Sequence, residues 1–116
     1  MGKLESNFQR ELKKELRERY PGSYVMKNDP TDIQGIPDLT ILYQDKWAML
    51  EVKKDKATAM SAMKGGSGGQ ANQAYYVNEL NNMSYAAFIY PENKKEVFHE
   101  LDEKFGVSRD THDCVS

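Results

Sequence analysis

The feature that most constrains the fold is a pair of apolar and β-branched runs separated by two polar residues. The runs cover residues 38–43 and 46–53, and Gln44-Asp45 lies between them. Residues of this type favour strands, and a two-residue polar connection is typical of a tight turn between antiparallel strands. The sequence therefore predicts a β-hairpin over residues 38–53.

Side-chain alternation divides the second strand of this hairpin into two faces. One face carries Trp47, Met49, Glu51 and Lys53, and the other carries Ala48, Leu50 and Val52. Asp38 opens the partner strand directly after Pro37, which fixes its own φ and restricts the residue before it. The sequence therefore predicts that Glu51 and Lys53 lie side by side, with the carboxylate of Asp38 close to them.

Two carboxylates and a lysine in this order suit metal-assisted hydrolysis of a phosphodiester. Mg²⁺ prefers oxygen ligands and keeps several waters, so Asp38, Glu51 and the carbonyl of Val52 suffice together with a phosphate oxygen. The cation polarises the phosphate and activates water, while Lys53 either orients the nucleophile or stabilises the developing negative charge. The pattern predicts a phosphodiester hydrolase with Mg²⁺ or Mn²⁺ as its cofactor.

A wider resemblance rests on three segments: Gly-Ile-Pro-Asp-Leu at 35–39, Leu-Glu-Val-Lys at 50–53, and a helix opened by Ala-Asn-Gln at 71–73. Over about residues 4–90 the chain resembles the PD-(D/E)XK nuclease superfamily, its VRR-NUC branch in particular, and is similar to small phage-type Holliday junction resolvases. The resemblance implies an α/β fold with a restriction-endonuclease-like core, in which a mixed four-stranded sheet is flanked by helices.

The same resemblance implies roles for individual residues. Asp38 and Glu51 would hold the metal, Lys53 would be the catalytic lysine, and Gln73 would help to shape the site. The family also places a metal-binding glutamate early in the first helix, a position that Glu5 matches.

The helical pattern by itself does not decide which glutamate completes the metal site. Apolar residues recur every four positions from Leu4 to Leu16, which predicts an amphipathic helix over residues 4–19. At 100° per residue both Glu5 and Glu15 fall inside the apolar stripe. A carboxylate in that stripe needs a cation or a hydrogen-bond partner.

The coarse element order is predicted to be α-β-β-β-α-β-α. Helices are expected at 4–19, 70–82 and 92–105, and strands at 23–28, 38–53 as a hairpin, and 84–90. We expect one nuclease domain over residues 1–105 and a disordered tail over 106–116. The glycine-rich stretch 64–69 predicts a linker or a loop that approaches DNA, next to a short helical or mobile segment.

The net charge of −2 requires an explanation in a DNA enzyme. Lysines cluster after the second hairpin strand, at positions 53, 54, 56 and 64, whereas acidic residues crowd the last helix, so we expect one basic face. The last helix also carries an apolar stripe that packs either on the sheet or on a second copy: Val97, Leu101 and Phe105.

The sequence and the resemblance also predict a substrate, an oligomeric state and a location for the protein. We expect DNA, branched DNA in particular, as the substrate and a homodimer as the active form. No apolar run reaches the length of a membrane span and the start lacks the core of a signal peptide, so we expect a cytoplasmic protein with no membrane partner. The resemblance to phage enzymes implies a phage-encoded protein in the host cytoplasm.

Three classes of function thus follow from the sequence. The first is a structure-selective endonuclease acting on Holliday junctions. The second is an exonuclease or a sequence-specific restriction-type nuclease of the same fold. The third is a DNA-binding module without catalysis.

Overall fold

A computed structural model describes residues 3–65 and 69–109 as an α/β domain with a mixed, open four-stranded sheet. The helices are α1 (Lys3–Arg19), α2 (Lys56–Met63), α3 (Gly69–Met83) and α4 (Lys94–Phe105), and the strands are β1 (Tyr24–Lys27), β2 (Leu39–Tyr43), β3 (Lys46–Val52) and β4 (Ala86–Ile89). None of these helices is both long and apolar enough to cross a membrane.

The predicted hairpin and four-stranded mixed sheet are confirmed. The strand order is β1-β2-β3-β4, with β1, β2 and β3 antiparallel and β4 parallel to β3. Tyr43 pairs with Lys46, so Gln44 and Asp45 form a two-residue turn. Gln44 adopts a φ of 59°, which matches the positive φ that tight hairpin turns require at their first central position.

The main core lies between one face of the sheet and helices α1 and α4. The predicted alternation along β3 is confirmed, because Ala48, Leu50 and Val52 are fully buried in this core. The apolar stripe of α4 is buried in the same cluster, as its members Val97, Leu101 and Phe105 pack against the sheet of their own chain. That stripe is consequently not a surface for a second copy.

Helix α2 confirms the helical alternative for the segment before the glycine-rich stretch. The predicted element order did not include it and becomes α-β-β-β-α-α-β-α. The side chain of Asp55 accepts a hydrogen bond from the backbone N–H of Thr58 at 2.8 Å and thereby begins the helix. Ala59 and Ala62 of α2 then pack with Phe88 and Tyr90 on the second face of the sheet. Together with α3, α2 covers the part of that face that belongs to β4.

The outer edge of β4 is capped by two asparagine side chains. Asn81 accepts from the backbone N–H of Ala86, and Asn93 accepts from the N–H of Tyr90 and donates to the carbonyl of Phe88. These bonds satisfy backbone groups that an edge strand would otherwise leave open. They also explain why residues Pro91–Asn93, predicted as the start of the last helix, form a tight 3-10 turn before α4.

A buried carboxylate ties α4 to the end of α1. Asp102 accepts hydrogen bonds from Tyr20 at 2.5 Å and from Arg19 and Arg109. Burial alone would raise the pKa of Asp102, but these three donors outweigh it and lower the pKa. Val107 and Arg109, which the sequence assigned to the tail, thus contact the folded domain, whereas residues 110–116 of that tail lie outside the described residues.

Candidate active site

The candidate site lies where β2 and β3 separate. Leu39 pairs with Leu50, and continuing this register would place Pro37 opposite Val52. Because proline has no N–H, it cannot form the next ladder bond to Val52. The sheet opens at this point, and the carbonyl of Val52 loses the donor that any other residue would offer.

Asp38 fills the opening. Its Oδ2 accepts a hydrogen bond from the backbone N–H of Val52 at 2.8 Å. In an extended strand the N–H and C=O of one residue point to the same side, so the carbonyl of Val52 is directed toward the gap that Asp38 occupies. The predicted grouping of Asp38 with this carbonyl is therefore compatible with the backbone geometry.

Asn28 fixes the segment that delivers Asp38, a role that sequence reasoning missed. Its side chain donates to the carbonyl of Pro37 at 2.9 Å and accepts from the hydroxyl of Thr40, while its N–H donates to the carbonyl of Asp38 at 2.8 Å. A polar residue directly after an edge strand was the one available signal, and by itself it does not identify a partner.

Asn28→Ala is expected to weaken binding of Mn²⁺ about tenfold, because residues that orient a ligand typically contribute this much to metal affinity. Loss of two side-chain hydrogen bonds should also cost about 1–2 kcal/mol of stability. Titration calorimetry with Mn²⁺ measures the first effect, and Asn82→Ala, at an exposed position of α3, is the control. An unchanged affinity of Asn28→Ala for Mn²⁺ would show that Asn28 does not position the metal-binding residues.

Glu51 and Lys53 are buried on the face of β3 opposite the main core. Their exposed fractions are 3% and 7%, and Nζ of Lys53 lies 3.5 Å from Oε2 of Glu51. The other oxygen of this carboxyl, Oε1, is buried with no hydrogen-bond partner among the described residues. An unpartnered buried oxygen is costly for folding, which is typical of a group whose partner is a ligand.

The two carboxyls perturb each other. Burial, followed by the charge of Asp38, raises the pKa of Glu51 to about 8 although Lys53 opposes the shift. Burial also raises the pKa of Asp38, against the hydrogen bond from Val52 and the charge of Lys53. At neutral pH the raised pKa of Glu51 favours its protonated form.

Glu5 lies across a cleft from Asp38. The two side chains line the same cavity of about 290 Å³ between α1 and the end of β1. Burial raises the pKa of Glu5, and the charges of Lys53 and Asp38 also act on it. Within the described residues, however, no group of three acidic, histidine or cysteine side chains is close enough to form a metal cage, so Glu5 as a ligand stays a prediction.

Glu15, the alternative to Glu5, has a different environment. It accepts a hydrogen bond from Nζ of Lys94 on α4 at 2.9 Å. Its charge is therefore already balanced by a lysine of its own chain, far along the helix axis from Glu5.

Helix α3 begins against the loop that leads to Asp38. Gly35 has a φ of +95°, and a Cβ at this position would lie 2.4 Å from Cβ of Asn72. The neighbouring Gln73 has a buried Oε1 with no partner among the described residues. Gln73 remains the predicted site amide. The helical pattern also puts Gln70 on the same face of α3, but its side chain lies outside the described residues.

Gly35→Ala is expected to destabilise the fold by about 3 kcal/mol, through strain at a positive φ and through the clash with α3. Gly22→Ala separates these causes, because Gly22 has a φ of +90° but open space around the added Cβ. This control should cost only about 1–2 kcal/mol. Urea unfolding compares the two variants, and equal losses would mean that α3 does not press on Gly35.

These residues fit a divalent cation. Asp38 presents a carboxylate, Glu51 presents an unpartnered oxygen, and Val52 presents a carbonyl freed by Pro37. All of these are hard oxygen donors of the type that Mg²⁺ and Mn²⁺ bind. The remaining predicted member, Lys53, supplies a positive charge beside them.

The predicted lysine cluster is only partly exposed. Lys53 is buried against Glu51, whereas Lys54, Lys56 and Lys64 are exposed around α2. Of the four lysines, only these three are available at the protein surface.

No family model, curated protein or solved structure matches this chain.

Proposed function

We propose that the chain is a Mg²⁺- or Mn²⁺-dependent DNA endonuclease that hydrolyses phosphodiester bonds, with branched DNA such as Holliday junctions as its preferred substrate. The observation that carries the proposal is the pair of buried residues Glu51 and Lys53, with the half-buried Asp38, beside the gap between β2 and β3. Two perturbed carboxyls next to a buried lysine oppose folding stability, and such groups concentrate at sites of chemistry.

The residues divide the chemical work between them. The N–H of Val52 orients the carboxylate of Asp38, and Glu51, after losing its proton to solvent, would be the second anionic ligand of a divalent cation. A divalent cation, when bound, supplies polarisation of the phosphate and activation of water. Nζ of Lys53 donates to the phosphate oxygen on which negative charge develops, where a fixed charge in a buried site acts strongly.

A homodimer is part of the proposal, since two sites acting on opposite strands suit paired cuts across a junction. The second face of the sheet offers a surface for the partner copy. Tyr24 and Leu42 are adjacent in the β1–β2 register, and both are exposed together with Met26. Sedimentation at the concentrations used for activity tests this part, and a monomer that cuts junctions in pairs would contradict it.

The substrate is tested by a cleavage panel with Mg²⁺ and with Mn²⁺. Labelled four-way junction, flap, linear duplex and single strand of matched sequence are compared at equal enzyme concentration. We expect the junction to be cut fastest. Faster digestion from a free end would favour an exonuclease, cutting at one sequence in duplex would favour a restriction-type enzyme, and absence of cleavage with every substrate would contradict the nuclease.

A further inference from the structure

A second feature of the α1 cleft is its positive charge. Besides Glu5 and Asp38, the cavity of about 290 Å³ is lined by Arg10 and Lys13 of α1 and by Lys27 at the end of β1. Ser6 and Gln9 complete the lining with neutral donors. The sequence did not indicate this group, because Lys27 joins the other two only when β1 packs beside α1.

The three cations are available to a ligand. None of them forms an ion pair with a carboxylate in residues 3–65 or 69–109. Arg10 donates one bond to the side chain of Asn7 at 2.8 Å, which leaves most of its five N–H donors for another acceptor. Lys27 is close enough to Asp38 for its charge to act on that carboxyl.

The net positive charge of the cleft increases once its carboxylates bind a cation. Three cations face two carboxylates, so the net positive charge is small while Glu5 and Asp38 bind no cation. Any cation held at Asp38 adds positive charge to the same cleft. The cleft then attracts a polyanion most strongly when the neighbouring site is occupied.

We infer that this cleft is a binding site for the phosphodiester backbone of one DNA strand, with Arg10, Lys13 and Lys27 contacting phosphates next to the bond that is cut. The inference rests on the proposed function for the position of the cut bond. The cavity is at the small end of ligand-binding pockets, so it admits the backbone of one strand and leaves a duplex outside. Three cations lining one cleft suit several phosphates of a strand better than one isolated anion.

The test measures binding of a fluorescein-labelled four-way junction and of a labelled single strand by anisotropy, in EDTA, over a series of salt concentrations. Each of the variants Arg10→Gln, Lys13→Gln and Lys27→Gln should weaken binding on the order of tenfold and reduce the slope of log K against log salt by about 1. Lys104→Gln, at an exposed position near the end of α4, is the matched control and should leave the slope unchanged.

An uncharged methylphosphonate linkage in the DNA identifies the phosphates that the protein contacts. The triple variant combines Arg10→Gln, Lys13→Gln and Lys27→Gln. A methylphosphonate next to the cut bond should weaken binding by the wild-type chain, yet have little further effect on the triple variant, because the contact is already lost. The inference would be overturned if this variant kept the wild-type dependence of log K on log salt, or if the methylphosphonate weakened its binding as much as it weakens binding by the wild type. So would absence of DNA binding by the wild-type chain at low salt.

Parallel cleavage assays separate this inference from the proposed function. If the wild-type chain cuts junctions and the triple variant cuts with unchanged kcat/KM, the cleft is not a substrate site although the nuclease stands. If nothing is cut but binding depends on the three cations, the nuclease fails and the cleft remains a DNA-binding site. Thermal unfolding of the triple variant verifies that the helix is intact.

Discussion

We expect the metal-free protein to lose about 4 kcal/mol of unfolding free energy as the pH rises from 5 to 8. The cause is Glu51, whose pKa is raised from 4.5 to about 8, by burial first and then by the charge of Asp38. In this window the folded state keeps the proton that the unfolded chain has released, so stability falls as the pH rises. The loss ends above the folded pKa, where both states are ionised.

Chemical denaturation in EDTA at a series of pH values measures the loss. Glu51→Gln is neutral throughout and resembles the protonated form, so its profile should be nearly flat and it should be more stable than the wild type at pH 8. Glu11→Gln, at an exposed position of α1, is the control and should retain the wild-type slope. Equal slopes in wild type and Glu51→Gln would show that Glu51 is not the group responsible.

Mn²⁺ should restore the unfolding free energy that the metal-free protein loses between pH 5 and pH 8. Binding requires the ionised carboxylate, so the cation stabilises the folded state more at pH 8 than at pH 5. Glu51→Gln should gain little stability from Mn²⁺ at either pH. Equal stabilisation of both proteins by the cation would place the cation site elsewhere.

Lys53→Ala is expected to lower kcat for cleavage by about 10²–10³-fold at saturating Mn²⁺. Lys53 lies beside Glu51 in a buried site, where its charge is poorly screened and acts directly on a phosphate oxygen. Removal of this charge also leaves the two carboxyls unopposed, which should move the acidic limb of the pH–rate profile to higher pH.

The matched control for this variant is Lys54→Ala, because the next residue along the chain is exposed. Stopped time courses at several pH values give kcat for wild type and both variants. Full activity in Lys53→Ala, or equal loss in Lys54→Ala, would contradict the catalytic assignment of Lys53. Circular dichroism of each variant verifies that the sheet is retained.

The hairpin could be predicted because strand alternation has a strict period. Once Leu50 is assigned to the core face of β3, alternation assigns every other residue of the strand to a face and puts Glu51 on the opposite one. The separation of β2 from β3 was foreseeable only in part. Pro37 signals a rigid approach, but its position opposite Val52 depends on the register that the turn at Gln44 sets.

The choice between Glu5 and Glu15 could not be made from the helical pattern. A wheel gives the direction of a side chain around the axis and not its position along it, and these residues are about 15 Å apart on α1. The structure puts Glu5 in the cleft with Asp38 and Glu15 beside Lys94. That distinction comes from how α1 and α4 pack together, which is not a local property of the sequence.

Asn28 and α2 illustrate two other limits. Asn28 gains its role from a loop of about ten residues that brings Pro37 back to the end of β1, so no local pattern marks it. Helix α2 was predicted only as a short helical or mobile segment, because its local signal, the N-cap residue Asp55, stands before a glycine-rich stretch that favours a linker.

The most direct test of the central claim is the rate of Mn²⁺-dependent junction cleavage by wild type and Glu51→Gln, purified in parallel. We expect the wild type to cut the junction and Glu51→Gln to be at least about a thousandfold slower while remaining folded. Equal rates in the two preparations, or no cleavage by the wild type with either Mg²⁺ or Mn²⁺, would contradict the assignment of Asp38, Glu51 and Lys53 as a catalytic centre.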